Sequence, residues 1–234
     1  MSSGLALPAG RQNMRLLLQP RVLNLAGIAA LVSALACYPR LSLWLNRPAP
    51  IWYLEATIFI CGIMLWSFVF GWHTQYTSRP VFVLKLEPGP FIAATLTAII
   101  AATVVHLWLD PSLRTKMPEE YPADLKHWFA SVLFSLAIIQ LFLIFAAFDW
   151  LMRLFKNRWV AASLTVLFGA CVLAMKTHSL PAPIPPPLLA ALLAGKIITG
   201  FLMIWFYLRG GVILIWWWAL LFESRHLLNL AGHS

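Results

Sequence analysis

The chain has 234 residues, of which 61% are apolar, 14% aromatic and only 11% charged, whereas charged residues make up about 25% of a soluble domain. The apolar residues stand in long runs, and crossing a hydrocarbon core about 30 Å thick takes roughly 20 such residues per helix. The composition therefore predicts an all-α polytopic membrane protein. It excludes enzymes built on a separate Rossmann or P-loop domain, because the remaining loops are too short to form one.

Apolar segments predict about seven transmembrane helices, with six to eight as the range, in a single domain over residues 1–234. In chain order they cover residues 22–38, 52–72, 90–109, 127–152, 159–176, 187–208 and 211–228. A basic segment, residues 1–21, precedes the first. Only Arg209, Gly210 and Gly211 separate the last two segments. This short connection predicts a tight helical hairpin or one long broken helix.

Lysine and arginine residues in the connections give a weak orientation signal. With the N-terminus inside, the inner side carries nine of them: Arg11, Arg15, Arg21, Arg79, Lys85, Arg153, Lys156, Arg158 and Arg209. The outer side carries seven: Arg40, Arg47, Arg114, Lys116, Lys126, Lys176 and Arg225. This bias predicts a cytoplasmic N-terminus in a bacterial inner membrane. Anionic lipid headgroups account for the net charge of +9 without nucleic acid as a partner.

Ionisable residues inside apolar segments are costly and are therefore candidates for function. At 1.5 Å per residue, Glu55, His106 and Lys196 all fall within roughly 12 Å of the outer edge. This placement predicts a buried polar cluster with a Glu55–Lys196 ion pair, since Lys196 is too deep to reach the edge comfortably. The same three residues could instead form the polar path of a small transporter or channel.

His106 continues a stripe of small residues with a spacing of four: Ala94, Ala98 and Ala102. Such a stripe is typical of close helix packing, so His106 is expected to point into the protein. Two interpretations remain open. His106 either forms a hydrogen bond to a neighbouring group or ligates a metal, haem or pigment, as in a cofactor-binding subunit.

Large aromatic residues cluster in the last apolar segment. Trp216, Trp217 and Trp218 face three directions of one helix, and Phe222 follows one turn later. Rigid aromatic side chains are enriched where proteins meet. The four residues therefore predict a surface that contacts another integral membrane protein.

Three short patterns lie between residues 145 and 228. The first is FDWLMR, with Phe148, Asp149 and Arg153; the second is FGACV, with Phe168, Gly169 and Val172; the third is Gly200–Gly211, GFLMIWFYLRGG. In this order they resemble the closing half of the CAAX-protease and bacteriocin-processing (CPBP) intramembrane metalloproteases. The resemblance implies a protease-like helical core over residues 145–228.

The family's chemistry, by this resemblance, needs a glutamate that activates a metal-bound water and histidines that hold the metal. This chain has Phe148 in place of the first glutamate and Val172 in place of a histidine, although Arg153 is kept and Asp149 offers an acid. We therefore expect a degenerate member without a catalytic set. In the alternative, a zinc-dependent intramembrane protease uses Asp149, Arg153 and His226, or His178, in rearranged roles.

The function predicted from the sequence is that of a non-enzymatic integral membrane protein. It would serve as a structural or accessory subunit that packs against other membrane proteins, without cofactor. The alternatives are the active metalloprotease, the small transporter, and the cofactor-binding subunit with His106 as ligand.

Overall fold

Helices make up most of the computed structural model, which describes residues 16–180 and 183–231. The named helices are α1 (Pro20–Leu43), α2 (Ile51–Thr77), α3 (Pro88–Lys116), α4 (Leu125–Phe155), α5 (Arg158–His178), α6 (Pro186–Glu223) and α7 (Arg225–Ala231). A short 3₁₀ turn, Pro118–Glu120, lies between α3 and α4. Within the described ranges, six helices are long and apolar enough to cross a membrane. The all-helical architecture is therefore confirmed, and the length and apolarity of these six helices agree with the prediction of a membrane protein.

Six of the seven predicted apolar segments lie inside one of these helices, because local signals define the helix ends. The seventh, 211–228, runs from α6 through Ser224 into α7. Proline occupies the first turn of α1, α3 and α6, where its missing N–H costs nothing. The side chain of Asn157 caps α5, and that of Asp124 caps α4. The two last predicted segments both fall in α6 and its continuation to Leu228, and α6 is interrupted by Gly211, with φ 62° and ψ −157°.

Three helices contain π-helical turns, which insert one residue and rotate everything that follows. They lie at Val69–His73 in α2, at Val105–Leu109 in α3, and at Ser135–Ile139 and Leu141–Ala146 in α4. His73 is the last residue of the first turn, and His106 lies within the second. The turns thus set the direction of two histidines.

Small residues allow the helices to approach one another closely. The predicted stripe of Ala94, Ala98 and Ala102 is buried, and α3 packs with it against α6. On α1, Ala30 lies against Gly62 of α2, where a Cβ would be 3.1 Å from the Ala30 Cβ. The core between the helices is aromatic-rich and includes Trp66, Phe145, Phe206 and Trp218.

The two ends of the bundle differ in their connections. One end, called the loop-80 end, carries residues 78–87, and here the Val212 amide donates to the Val81 carbonyl at 3.0 Å. The other, called the loop-120 end, carries residues 117–124, and here Trp128 Nε1 donates to the Glu223 carbonyl at 3.0 Å. Arg11 and Arg15 of the predicted basic segment lie outside the described residues.

Candidate functional site

A hydrogen-bonded group joins three helices near the loop-80 end. His73 Nδ1 lies 3.2 Å from Asp149 Oδ1, and the Tyr207 hydroxyl donates to Asp149 Oδ2 at 2.7 Å. His73, Asp149 and Tyr207 belong to α2, α4 and α6 and are no more than 1% exposed. We call this group the His–Asp–Tyr brace. Its position between three helices makes it a cross-link of the bundle.

The surroundings of the brace are aromatic and apolar. The rings of His73 and Tyr207 are 4.4 Å apart, and the ring of Phe145 is 5.0 Å from that of Tyr207. In such a poorly polarisable site a satisfied hydrogen bond is strengthened and an unsatisfied polar group is expensive. Asp149 has a partner for each carboxylate oxygen. His73 Nε2 and the neighbouring Trp72 Nε1 are buried without a hydrogen-bond partner in the part of the chain that the structure describes.

The three residues of the alternative catalytic set do not meet. The guanidinium of Arg153 lies over the ring of Trp72, 4.6 Å from its centre. His226 is at the loop-120 end, where its Nε2 lies 3.5 Å from a Glu223 carboxylate oxygen. Asp149 therefore shares a site with His73 and Tyr207 and not with Arg153 and His226.

A second polar group, called the loop-120 cluster, surrounds Asp110. The Tyr121 hydroxyl donates to Asp110 Oδ1 at 2.8 Å, while His106 Nδ1 and Arg225 Nε each lie 3.6 Å from Asp110 Oδ2. The cluster consists of His106, Asp110, Arg114, Tyr121, Glu223, Arg225 and His226. It connects the end of α3 to α7.

Tyr121 and Asp124, in the connection between α3 and α4, have shifted ionisation. Burial, followed by the hydrogen bond to Asp110, raises the pKa of Tyr121 above its ordinary value. For Asp124, the hydrogen bond from the His127 amide, followed by that from the His127 side chain, lowers the pKa. The Asp124 carboxylate also caps the first turn of α4, which favours its charged form.

The polar cluster expected from Glu55, His106 and Lys196 is not formed. Glu55 is half-buried on α2 and takes part in none of the ion pairs of the described residues. The stem of Lys196 lies against Gly169 of α5, and His106 pairs with Asp110. Among the described residues no ion pair joins Glu55 to Lys196. The depth estimate placed these residues at similar heights but could not tell that their helices face different neighbours.

The tryptophan surface also requires a correction. Trp216 Nε1 donates to the Leu136 carbonyl at 2.9 Å, Trp217 Nε1 to Thr95 Oγ1 at 2.9 Å and Trp218 Nε1 to Thr97 Oγ1 at 3.2 Å. Trp218 is 1% exposed and stacks on Phe222. Because α3 and α4 flank this part of α6, all three indoles bond inside the chain. The buried ring of Trp218 is therefore not available to a partner, whereas Trp216, Trp217 and Phe222 are half-buried and keep part of their rings exposed.

The positions of the donor side chains decide whether the chain could hold a metal or cofactor. Over residues 16–180 and 183–231 no group of three or more histidine, cysteine or acidic side chains is placed to hold a metal ion. A zinc centre for the alternative protease therefore does not fit the residues described. His106 is occupied with Asp110, and its side chain is 25% exposed; it remains a single potential ligand.

Sequence reasoning missed five residues of these sites: His73, Tyr207, Asp110, Arg114 and Tyr121. His73 falls one residue beyond the predicted segment 52–72, and Asp110 one beyond the segment 90–109. A search for polar residues just outside the apolar segments would have included both. It would not have shown that His73 meets Asp149 or that Asp110 meets Tyr121.

With this geometry established, the chain was compared with known proteins. No family model, curated protein or solved structure matches it.

Proposed function

We propose that this chain is a non-enzymatic integral membrane protein that acts as a structural or accessory subunit of a membrane assembly. The observation that carries this proposal is that the His–Asp–Tyr brace is buried and its acid is fully hydrogen-bonded within the protein. Asp149 is the only acid of the FDWLMR pattern, and each of its carboxylate oxygens already has a partner within the protein. General acid–base chemistry needs a group within reach of substrate, and a residue 1% exposed between three helices offers no such access.

The protease-like scaffold is part of the proposal. Tyr207 comes from the GFLMIWFYLRGG pattern and Asp149 from FDWLMR, and the two side chains are hydrogen-bonded. Val166, just before the FGACV pattern, packs on Gly200. The three patterns therefore belong to one packed unit, as a degenerate CPBP-like core requires. In this scaffold a structural hydrogen bond takes the place of a metal site.

A seven-crossing topology with a helical hairpin in α6 also belongs to the proposal. Leu188 and Leu192, early in α6, pack near Leu113 and Met117 at the loop-120 end. Arg225, just after α6, contacts Asp110 at the same end. Between them, Val212 bonds to Val81 at the loop-80 end. These contacts at the same end before and after Gly211 support a reversal there, and the positive φ of Gly211 suits one.

Site-directed labelling tests this topology. With a cytoplasmic N-terminus and seven crossings, single cysteines at Ser112 and Ser224 should react with an impermeant reagent from outside, and one at Asn157 only from inside. The three native cysteines are replaced by alanine in all variants. Labelling of Ser112 and Ser224 from opposite sides would overturn the hairpin, and external labelling of Asn157 would overturn the orientation.

The partner is proposed to be a transmembrane helix of another protein, seated in an apolar groove between α1 and α4. The groove has a volume of about 960 Å³ and is lined by Ala29, Ser33 and Ala36 of α1. Small residues at this spacing let a second helix approach closely. Ile28 and Val32, also in the groove, are 63% and 60% exposed. Trp216 also lines this groove, so the proposed surface includes one of the tryptophans predicted for that role.

Photo-crosslinking in native membranes tests the accessory role. A photoreactive residue at Ile28 or Val32 should capture the same membrane protein, and Val32→Trp should reduce its co-purification. The matched control is Ile100 of α3, which is 62% exposed outside the groove. Crosslinks to lipid alone at Ile28 and Val32 would contradict the proposal.

A separate test addresses enzymatic activity. Asp149→Asn is nearly isosteric and keeps a carbonyl oxygen as acceptor. The variant gene should therefore complement a deletion strain as well as the wild-type gene does. Loss of complementation by a variant that is still folded and still crosslinks its partner would favour the metalloprotease alternative.

A further inference from the structure

A pocket at the loop-80 end collects four cationic side chains from three separate segments. Arg79 follows α2, Lys156 and Arg158 flank the α4–α5 connection, and Arg209 lies near the middle of α6. The pocket has a volume of about 660 Å³, which is within the range of pockets that bind small molecules. We call it the basic pocket. It is distinct from the His–Asp–Tyr brace, whose three residues do not line it.

The positive charge of the basic pocket is not neutralised by the chain. None of its four cations has a carboxylate within 4 Å among the ion pairs of the described residues. The segments outside the described ranges contain no aspartate or glutamate that could supply one. Asp149 is the nearest acid along α4, and its oxygens are already occupied. Four like charges around one cavity attract an anion.

A general excess of cations at one membrane face does not explain this arrangement. Lys85 and Arg153 belong to the same end of the bundle but do not line the pocket. Arg153 instead lies over Trp72. The four pocket residues come from different parts of the sequence, so the tertiary fold brings them together.

Apart from Tyr76 and Thr77, the rest of the lining is apolar and continues onto the surface expected to face lipid. Phe201, Ile204 and Leu208 of α6 and Ala162 of α5 form one side. Trp159 and Trp205 stand at the rim, 68% and 42% exposed. Arg158 lies 5.5 Å from the ring centre of Trp159, and Arg209 lies 5.8 Å from that of Trp205. An occupant of this pocket needs both an anionic group and a hydrocarbon chain.

We propose that the basic pocket binds a lipid with an anionic phosphate headgroup. The phosphate lies among Arg79, Lys156, Arg158 and Arg209, and an acyl chain follows Phe201 and Trp205 along the α5–α6 surface. Arginine is suited to this role because its planar guanidinium can hold two phosphate oxygens at once. A free phosphate shares the headgroup chemistry but would leave the apolar side of the pocket unused.

The test is binding of defined lipids to the full-length protein in a neutral detergent, measured by native mass spectrometry. Dioleoyl phosphatidic acid and dioleoyl phosphatidylglycerol are the anionic probes, and dioleoyl phosphatidylcholine is the zwitterionic control. One anionic lipid per chain should bind, and Arg158→Gln with Arg209→Gln should weaken it at least tenfold. Lys85→Gln with Lys126→Gln removes the same charge from exposed positions outside the pocket and should change binding less than twofold.

Two further arms make the outcome decisive. Arg158→Lys with Arg209→Lys keeps the charge but loses the two-point contact of the guanidinium, so it should bind more tightly than the glutamine pair and more weakly than the wild type. If the glutamine pair does not give monodisperse protein, Arg79→Gln with Lys156→Gln removes the same charge from the other side of the pocket. Equal binding by the pocket and control variants would overturn the site. Full displacement of the lipid by millimolar inorganic phosphate would overturn the lipid as ligand in favour of free phosphate.

Discussion

The two ends of the bundle hold their polar residues in different ways. At the loop-80 end, the His–Asp–Tyr brace has one acid with both oxygens bonded, at 3.2 and 2.7 Å. At the loop-120 end, the cluster has seven polar residues including Asp110, and most of their charge contacts are 3.5–3.7 Å long. Five of the seven buried side-chain atoms that lack a hydrogen-bond partner in the described residues belong to this cluster.

This difference predicts which end determines the stability of the fold. The brace has only three residues, so the loss of any one of them breaks its contacts between helices. The larger and looser loop-120 cluster can compensate for the loss of one residue. Removing one partner of a buried polar pair also exposes the others to the full cost of desolvation. The loop-80 end should therefore be the more sensitive to single substitutions.

Removal of the central acid is expected to have the largest effect. Asp149→Ala leaves His73 and the Tyr207 hydroxyl without their partner and should lower the free energy of unfolding by about 3–5 kcal/mol. Asp149→Asn keeps an acceptor and should cost about 1–2 kcal/mol. Denaturant titration in mixed micelles measures both, with Ser112→Ala as an exposed control. A cost below 1 kcal/mol for the alanine variant would show that the brace does not hold the helices together.

The second effect concerns Gly211, at the same end. A Cβ at Gly211 would collide with the Val81 carbonyl oxygen, and the φ of 62° is strained for any other residue. Gly211→Ala should therefore cost about 3 kcal/mol. Gly195→Ala is the matched control, because its Cβ would meet nothing within 4 Å. It should be stabilising by about 0.5–1 kcal/mol. Equal results for the two variants would contradict the described backbone at Gly211.

At the loop-120 end a smaller effect is expected at high pH. The folded-state pKa of Tyr121 is raised by burial and by Asp110, so its contribution to stability is complete below the unfolded tyrosine pKa of about 10. The contribution is lost as the pH rises from that value through the folded-state pKa. In a pH titration, the difference in tyrosinate absorbance between the wild type and Tyr121→Phe reports on Tyr121. It should appear at a higher pH than the signal of exposed tyrosines. Simultaneous titration would show that Tyr121 is not enclosed by the cluster.

The smallest expected effect is a coupling close to zero between Glu55 and Lys196. The Lys196 side chain lies against Gly169 of α5, and no ion pair joins it to Glu55 in the described residues. Glu55→Gln and Lys196→Met should therefore be additive within about 0.5 kcal/mol in a double-mutant cycle. Strong coupling would restore the polar cluster first expected from the sequence and would place a third polar site in the bundle.

Particular residues show how far prediction from sequence could go. The buried stripe of Ala94, Ala98 and Ala102 was predicted correctly, because a spacing of four defines one face of a regular helix. The direction of His106 was harder to predict, since the π-helical turn Val105–Leu109 changes the register just where the histidine stands. His73 ends a similar turn in α2. Its partnership with Asp149, 76 residues away, has no signature in either local segment.

The sequence by itself determined that this protein is a bundle of long apolar helices and where the apolar core of each helix lies. These properties depend on neighbouring residues and on the length of each apolar run. Only the tertiary structure decided that Asp149 meets His73 and Tyr207, that three tryptophans bond inward, and that Arg79, Lys156, Arg158 and Arg209 line one pocket. Those outcomes depend on the rotation, register and order of packed helices, which are set by contacts between residues far apart in the chain.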